Sequence, residues 1–117
     1  MSEGAATART RISPDAWARE LEAFTKRNTG RRAALEVDDP ELGAQSLERD
    51  YSLLGVAFAH QDRAVEIMVG DFEGTKHHFT HNISDVKAID LLQDQRGRDW
   101  ILRVAHGRGQ TILTLVR

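Results

Sequence analysis

The chain has no cysteine, only two prolines and no apolar run approaching the ~18 residues that a membrane-spanning helix requires. Without cysteine there is no disulfide scaffold, no thiol nucleophile and no thiolate site for zinc or iron–sulfur clusters. Residues Met1–Thr10 also lack the apolar core of a signal peptide. We therefore predict a cytoplasmic protein with no membrane partner.

An excess of charge of one sign is missing as well, since 16 Lys and Arg face 18 Asp and Glu for a net charge of −2. The average conceals a pattern: residues 1–32 and residues 76–117 each carry seven basic and four acidic side chains, whereas residues 33–75 carry two and ten. Because no overall positive field or exposed aromatic platform is evident, nucleic acid is not an expected partner. We interpret the basic N-terminal third as a solvated helix face.

The length of 117 residues fits one domain, and 40% apolar with 29% charged residues is typical of a globular chain. Residues 1–10 are mostly small and polar and have nothing to bury, which predicts a flexible tail. Residues 11–117 are then a single domain.

A helix is predicted to begin at Ser13. This residue is placed as the N-cap, and Pro14 occupies the first helical position, where its missing N–H costs nothing. Trp17, Leu21 and Phe24 follow at i, i+4 and i+7 and form one apolar stripe. The stripe predicts an amphipathic helix that packs on the rest of the domain.

After Gly30, which can supply a left-handed helix end, the apolar period changes from helical to two. A short strand at Gln45–Arg49 is less regular, and Val86–Gln93 fits either a helix or a strand, of which we favour the strand. The regular predicted strands are Ala33–Val37, Leu54–His60, Ala64–Val69, His77–Ile83, Trp100–His106 and Thr111–Val116.

Turns this short leave no room for crossover helices, so the sheet is expected to be antiparallel and meander-like. We predict an α+β fold in which the N-terminal helix packs on a curved, mainly antiparallel sheet of six or seven strands, with a partly open barrel as an alternative. Alternation places Leu54, Val56 and Phe58 on the inner face. It places further apolar side chains on the second face, namely Leu53, Leu92, Ile101, Ile112 and Val116.

Histidines are the only side chains whose clustering suggests ligand binding. His77 and His81 share a strand face but lie about 13 Å apart at ~3.3 Å per residue, too far to hold one ion, and His78 points the other way. His60 and His106 each end an apolar face just before a turn, so antiparallel pairing could bring them to one rim. No metal site, other cofactor or catalytic residue is predicted.

Several strings resemble a family of small prokaryotic proteins classed as a domain of unknown function. They include Trp17, Leu35–Gln45, Leu54–Val56, Ile67–Gly70 and His78–Ile83, and the resemblance covers roughly residues 11 to 117. Its most specific parts are Pro-Glu-Leu-Gly-Ala-Gln and His-Phe-Thr-His. The resemblance implies no activity, substrate or cofactor, but it favours His78 and His81 as functional positions.

The sequence favours a non-enzymatic binding or protein-interaction module over an enzyme. The apolar second face and the sheet edges predict a homodimer or a protein partner. The alternative is an activity that depends on a metal or small ligand. Its candidate ligand-binding residues are His78, His81, His60 and His106, beside the interpretation of these histidines as ordinary core or rim residues.

Overall fold

The fold was determined as a computed structural model, which describes residues 8–39, 43–71, 78–107 and 109–116, with the side chains of 44–50 and 71 left out. One α-helix and one 3₁₀ turn accompany eight strands. In chain order the elements are β1 (Ala8–Ile12), the 3₁₀ turn (Pro14–Ala16), α1 (Trp17–Asn28), β2 (Arg32–Asp39), β3 (Gly43–Ala59), β4 (Ala64–Asp71), β5 (His78–Ile83), β6 (Val86–Gln93), β7 (Asp99–His106) and β8 (Gly109–Leu115).

The helix stripe is confirmed. Trp17, Leu21 and Phe24 are all buried, and the indole Nε1–H of Trp17 donates to the Ile12 carbonyl at 3.1 Å. Ser13 is the N-cap of the 3₁₀ turn and Pro14 its first residue, as predicted, but the Ser13 side chain makes no capping bond and α1 itself begins at Trp17. Instead the Ser13 carbonyl accepts the N–H of Ala16 at 2.8 Å, which closes the 3₁₀ turn that leads into α1.

The prediction of six or seven strands is wrong, because the sheet has eight strands in the order β1-β6-β7-β8-β2-β3-β4-β5. Every pair is antiparallel, as predicted. The Val86–Gln93 segment is the strand β6, as we favoured. The predicted short strand Gln45–Arg49 and the strand that follows it are one continuous strand, β3.

The additional strand is β1, at the N-terminus. Ala8, Arg9 and Thr10, which composition assigns to the tail, pair with β6, and two arginines of the strand contact Asp90. Backbone pairing and these ion pairs order a segment that has little apolar surface to bury. The rest of the predicted tail, residues 1–7, lies outside the described residues, as do His77 and the Pro40–Leu42 part of the acidic turn.

Strands β5 and β6 lie near opposite ends of the strand order, yet only Ser84 and Asp85 join them. The sheet must therefore curl strongly to bring the two strands together. The Asp85 carbonyl accepts the N–H of Gly107 at 3.2 Å, which ties this link to the turn between β7 and β8. Among the described strands, β1 and β5 do not pair with one another, so the curled sheet remains open.

The core fills the concave face of the curled sheet, where α1 also packs. Buried side chains from the helix and from strands along the whole sheet meet in one cluster. The largest fully buried side chains are Phe24, Leu21, Leu35, Leu53, Ile67, Ile89, Leu102, Leu113, Leu115, Val65, Val69 and Val104.

A bulge in β3 moves Leu54 out of the predicted inner face, whereas Val56 is buried and Phe58 packs against the core, as predicted. Leu53 pairs with Val69 and Gly55 with Met68, so Leu54 is an extra residue that shifts the alternation. Leu53 is therefore fully buried, whereas Leu54 is 40% exposed on the outside. The predictions for these two leucines are both wrong, because a single inserted residue exchanges the two faces.

The helix covers part of one strand edge. Pairing with β2 ends at Ser52, so the rest of β3 has β4 on one side and no described strand on the other. There the Thr25 hydroxyl both accepts from the Val56 N–H and donates to the Val56 carbonyl, each at 2.8 Å. Thr25 thus supplies the hydrogen bonds that a neighbouring strand would make.

Candidate functional site

Strand β5 forms an exposed edge of the sheet. Among the described strands it pairs only with β4, in a regular register from Val65↔Ile83 to Gly70↔His78. The strand contains no Lys, Arg, Asp, Glu or Pro, and its register shows no bulge. Natural proteins protect edge strands with charged residues, proline or a bulge. Because β5 has none of these, it presents an unprotected edge.

The opposite edge is protected. Arg9 and Arg11 of β1 point charges along it, and both guanidinium groups contact the buried carboxylate of Asp90 on β6. Burial alone would raise the pKa of Asp90, but the hydrogen bond and charge of Arg11, aided by Arg9, bring this pKa below its usual value. The two edges of the sheet therefore differ in chemistry.

Phe79 lies opposite buried Val69, on the same face of β5 as His81, but at the sheet edge it remains 42% exposed. Its ring meets Tyr51 edge-to-face with centroids 5.4 Å apart. On the other face, His78 lies over Gly70, where an added Cβ would stand 3.1 Å from the imidazole and 3.0 Å from Leu54. The β5 edge is thus flanked by apolar and aromatic groups that remain accessible.

Two of the four candidate histidines are brought near each other. His81 lies opposite buried Ile67 and so faces inward, and burial lowers its pKa, with the charge of His106 lowering it further. His106, on β7, holds its Nε2 2.8 Å from the Thr111 hydroxyl. His81 alternates with buried Ile83 and His106 with buried Val104, so both imidazoles lie on the core side of the sheet.

The other two candidates are exposed and separate. The His60 ring packs edge-to-face on Phe58 at 5.0 Å, and His78 is exposed on the outer side of β5. Within the described part of the chain, no three His, Cys, Asp or Glu side chains converge as metal ligands would.

A polar cavity of about 430 Å³ opens at the end of α1 and was not predicted from the sequence. Its lining residues include Arg27, Asn28, Arg31, Gln93, Arg98 and Asp99. These residues come from the helix end, the segment after it and the turn between β6 and β7. The only signal in the sequence is the pair of basic residues at the end of the helix. Basic residues are common at this position in any helix, because they balance the helix dipole.

Asp99 forms the floor of this cavity. The carboxylate is 4% exposed and accepts from Arg27 Nε at 2.8 Å, Asn28 Nδ2 at 2.7 Å and Gln93 Nε2 at 3.0 Å. Burial favours the neutral acid, but the hydrogen bonds from these three partners and the charge of Arg27 hold the pKa of Asp99 below its usual value. Asp99 is therefore a saturated anion.

Arg31 is held in a different way. Its Nη1 donates to Asn28 Oδ1 at 3.0 Å and to the Asp99 carbonyl at 2.8 Å, and its Nη2 donates to the Val116 carbonyl at 3.1 Å. All three acceptors are neutral oxygens. The guanidinium is thus fixed in position with no carboxylate partner among the described residues.

No helix in the described segments is both long and apolar enough to cross a membrane. Comparison of the chain with curated proteins and with solved structures gives no match. A family of unknown function, DUF5335, matches residues 8–117, which is nearly the whole chain. The resemblance expected from the sequence strings is thereby confirmed, and the chain belongs to the family of unknown function DUF5335.

Proposed function

We propose that this protein is a non-enzymatic protein-interaction module that pairs with a second copy of itself through β5. The observation that carries this proposal is the unprotected edge of β5, beside a β1 edge that bears Arg9 and Arg11. An added strand would receive main-chain hydrogen bonds from the free side of β5, as in other complexes formed by strand addition.

A second copy fits this edge by two-fold symmetry. An axis perpendicular to the sheet keeps both inner faces on one side, and with the axis at Thr80 each Thr80 faces its counterpart. Phe79 then lies opposite His81 of the second copy, and His78 lies opposite Asn82. None of these pairs brings Lys, Arg, Asp or Glu side chains of like charge together across the axis.

The absence of native cysteine gives a direct test. In a Thr80→Cys variant, the two cysteine Cβ atoms of a dimer would lie about 4.5–5.5 Å apart, so a small shift of the strands brings them to the ~3.5–4.5 Å of a disulfide after mild oxidation. We expect rapid formation of a covalent dimer, measured on a non-reducing gel. Thr10→Cys, on the protected β1 edge, is the matched control and should remain monomeric.

Charge on the edge supplies the second arm of the test. Thr80→Lys should convert the dimer to a monomer in native mass spectrometry, because two ammonium groups would meet at the axis, whereas Thr80→Val should keep the dimer. A wild-type protein that stays monomeric at high concentration by light scattering, with Thr80→Cys no faster to cross-link than Thr10→Cys, would contradict the proposal.

A second candidate function rests on His81 and His106, which lie on the same side of the sheet. We propose that these two imidazoles hold a small ligand such as a zinc or nickel ion, with other positions filled by water. Their common position on the core side of the sheet supports it, and the charge of His106 adds to the lowering of the His81 pKa. The exposed residues His60 and His78 are not included in this site.

Nickel titration of untagged protein tests the second candidate. We expect line broadening or shifts of the His81 and His106 signals and a higher melting temperature, both lost in His81→Gln and retained in the control His60→Gln. A melting temperature that nickel and zinc leave unchanged would rule it out.

A further inference from the structure

We infer that the cavity at the end of α1 binds a small organic anion, with Arg31 pairing to a carboxylate or phosphate group of the ligand. This site is separate from the β5 edge and goes beyond the proposed dimer. The cavity volume of about 430 Å³ is within the range of small-molecule sites.

The charge of the cavity favours an anion. Three arginines line it, but Asp99 neutralises Arg27, and Asp94 lies 3.5 Å from Arg98. Arg31 is the remaining cation, with only neutral oxygens as described acceptors. A ligand that brings one or two negative charges would therefore complete the charge balance of the cavity.

The donors of Arg31 are already oriented. Three of its five N–H groups are used to anchor the side chain, which leaves Nε–H and one Nη2–H without a described acceptor. These are donors on neighbouring nitrogens of one rigid plane, the arrangement to which a carboxylate or phosphate binds in bidentate fashion. Because the side chain is fixed beforehand, the ligand would lose little affinity to ordering.

The negative groups nearby do not oppose this binding. The Asp99 carboxylate is saturated by three donors, and the carbonyls at the helix end already accept hydrogen bonds. Asn28 Nδ2 donates to the Phe24 carbonyl at 2.8 Å, and the Thr29 N–H donates to the Thr25 carbonyl at 2.9 Å. Part of the negative end of the helix dipole is thus covered by donors.

The test is an NMR titration of the full chain, labelled with ¹⁵N, with inorganic phosphate and separately with succinate at constant pH and ionic strength. We expect saturable amide shifts confined to residues 27–31 and 93–99, with sodium chloride giving none. A stronger response to phosphate or to succinate identifies which oxyanion the site prefers. Absence of a saturable shift with either anion would overturn the inference.

Variants separate the site from general charge attraction. Arg31→Gln should abolish the shifts and Arg31→Lys should weaken binding about tenfold, because an ammonium keeps the charge but loses the bidentate pairing. Arg19→Gln removes the same charge from a solvated helix position and should bind as the wild type does. Equal loss in Arg19→Gln and Arg31→Gln would mean nonspecific attraction and would also overturn the inference.

Arg31 also anchors the chain, so its variants can lose the fold. Arg98→Gln then decides the question, since Arg98 lies in an exposed turn that lines the same cavity and its loss makes the net charge there one unit more negative. We expect about threefold weaker binding in Arg98→Gln with an unchanged spectrum elsewhere. Affinity equal to that of Arg19→Gln would contradict a site in this cavity.

Discussion

At the scale of single residues, Gly109 leaves the least room for a side chain among the glycines that the structure describes. A Cβ added there would stand 2.5 Å from the Asp38 carbonyl oxygen, which is backbone and cannot move aside cheaply. We expect Gly109→Ala to lower the free energy of unfolding by about 1–3 kcal/mol, measured by urea denaturation.

Gly55→Ala is the control for that prediction, because it adds the same methyl group at a less crowded position. Its added Cβ would meet the Thr25 methyl at 3.3 Å and the end of Met68 at 3.4 Å, both of which belong to side chains. Its loss of stability should be the smaller of the two. An equal or greater loss would show that the contact with Asp38 is not decisive.

His81 gives a pH dependence at the same scale. Burial and then the charge of His106 lower its pKa, so the unfolded chain takes up a proton near the ordinary histidine pKa of about 6.5 while the folded protein does not. The sign follows from proton linkage: stability falls as the pH drops below this value. We expect a weaker decline between about pH 7.5 and 5.5 in His81→Gln than in the wild type, measured by denaturation at each pH.

The exposed His60 is the control for this dependence. His60→Gln should leave the decline of the wild type unchanged. If the decline in stability survived in His81→Gln and disappeared in His60→Gln, the assignment of the effect to His81 would be contradicted.

At the scale of the elements, the helix acts as a partial substitute for a strand. The Thr25 hydroxyl satisfies both backbone groups of Val56, so Thr25→Val leaves a donor and an acceptor without partners at this edge. We expect a loss of about 1–3 kcal/mol in the free energy of unfolding and faster hydrogen exchange at the Val56 amide.

Thr25→Ser keeps the hydroxyl and should retain the slow exchange at Val56. If Thr25→Ser and Thr25→Val exchanged at the same rate, the covering of the β3 edge by the hydroxyl would be refuted.

The elements also show which parts of the fold can be read from local sequence. The helix stripe of Trp17, Leu21 and Phe24 and the hairpin turns depend on neighbours in the chain, and periodicity predicts them. Strand β1 shows no apolar pattern that would predict it. The strand is held in place by pairing with β6 and by contacts with Asp90, both far along the chain. The bulge at Leu54 is equally invisible, since one extra residue leaves the apolar content of the segment unchanged.

The candidate sites depend still more on long-range placement. His81 and His106 come together only because the sheet curls, and the alternation pattern does not specify curvature. The arginine cavity joins Arg31 to Asp99 across 68 positions of the chain. The sequence shows the residue types of both sites. That these residues lie close together can be predicted only when the strand order is known.

At the scale of the whole molecule, acid should destabilise the fold through two buried carboxylates. Asp90 and Asp99 both have a pKa below the usual value, because the hydrogen bonds and charges of their partners outweigh burial. Their stabilising contribution is present above the ordinary pKa of about 3.9 and is lost as the pH falls through the lower folded value. Denaturation between about pH 6 and pH 2 should therefore show a steep fall in stability.

Asp99→Asn keeps the shape of the side chain and removes its titration. It should flatten part of that acid dependence, whereas Asp62→Asn, in the exposed turn between β3 and β4, should leave it unchanged. An acid profile of Asp99→Asn identical to that of the wild type would contradict the role of Asp99.

The strand order has a consequence for the way the chain assembles during synthesis. Strands β2 to β5 are joined by successive hairpins and can pair as they emerge from the ribosome, and β6 to β8 form a second such series. Among the described strands, the two series are joined by strand pairing only at β2 and β8, the last of these eight strands to be made. Until then the free side of β2 has no neighbour, so a chain stalled before Gly109 would expose a templating edge to other nascent chains.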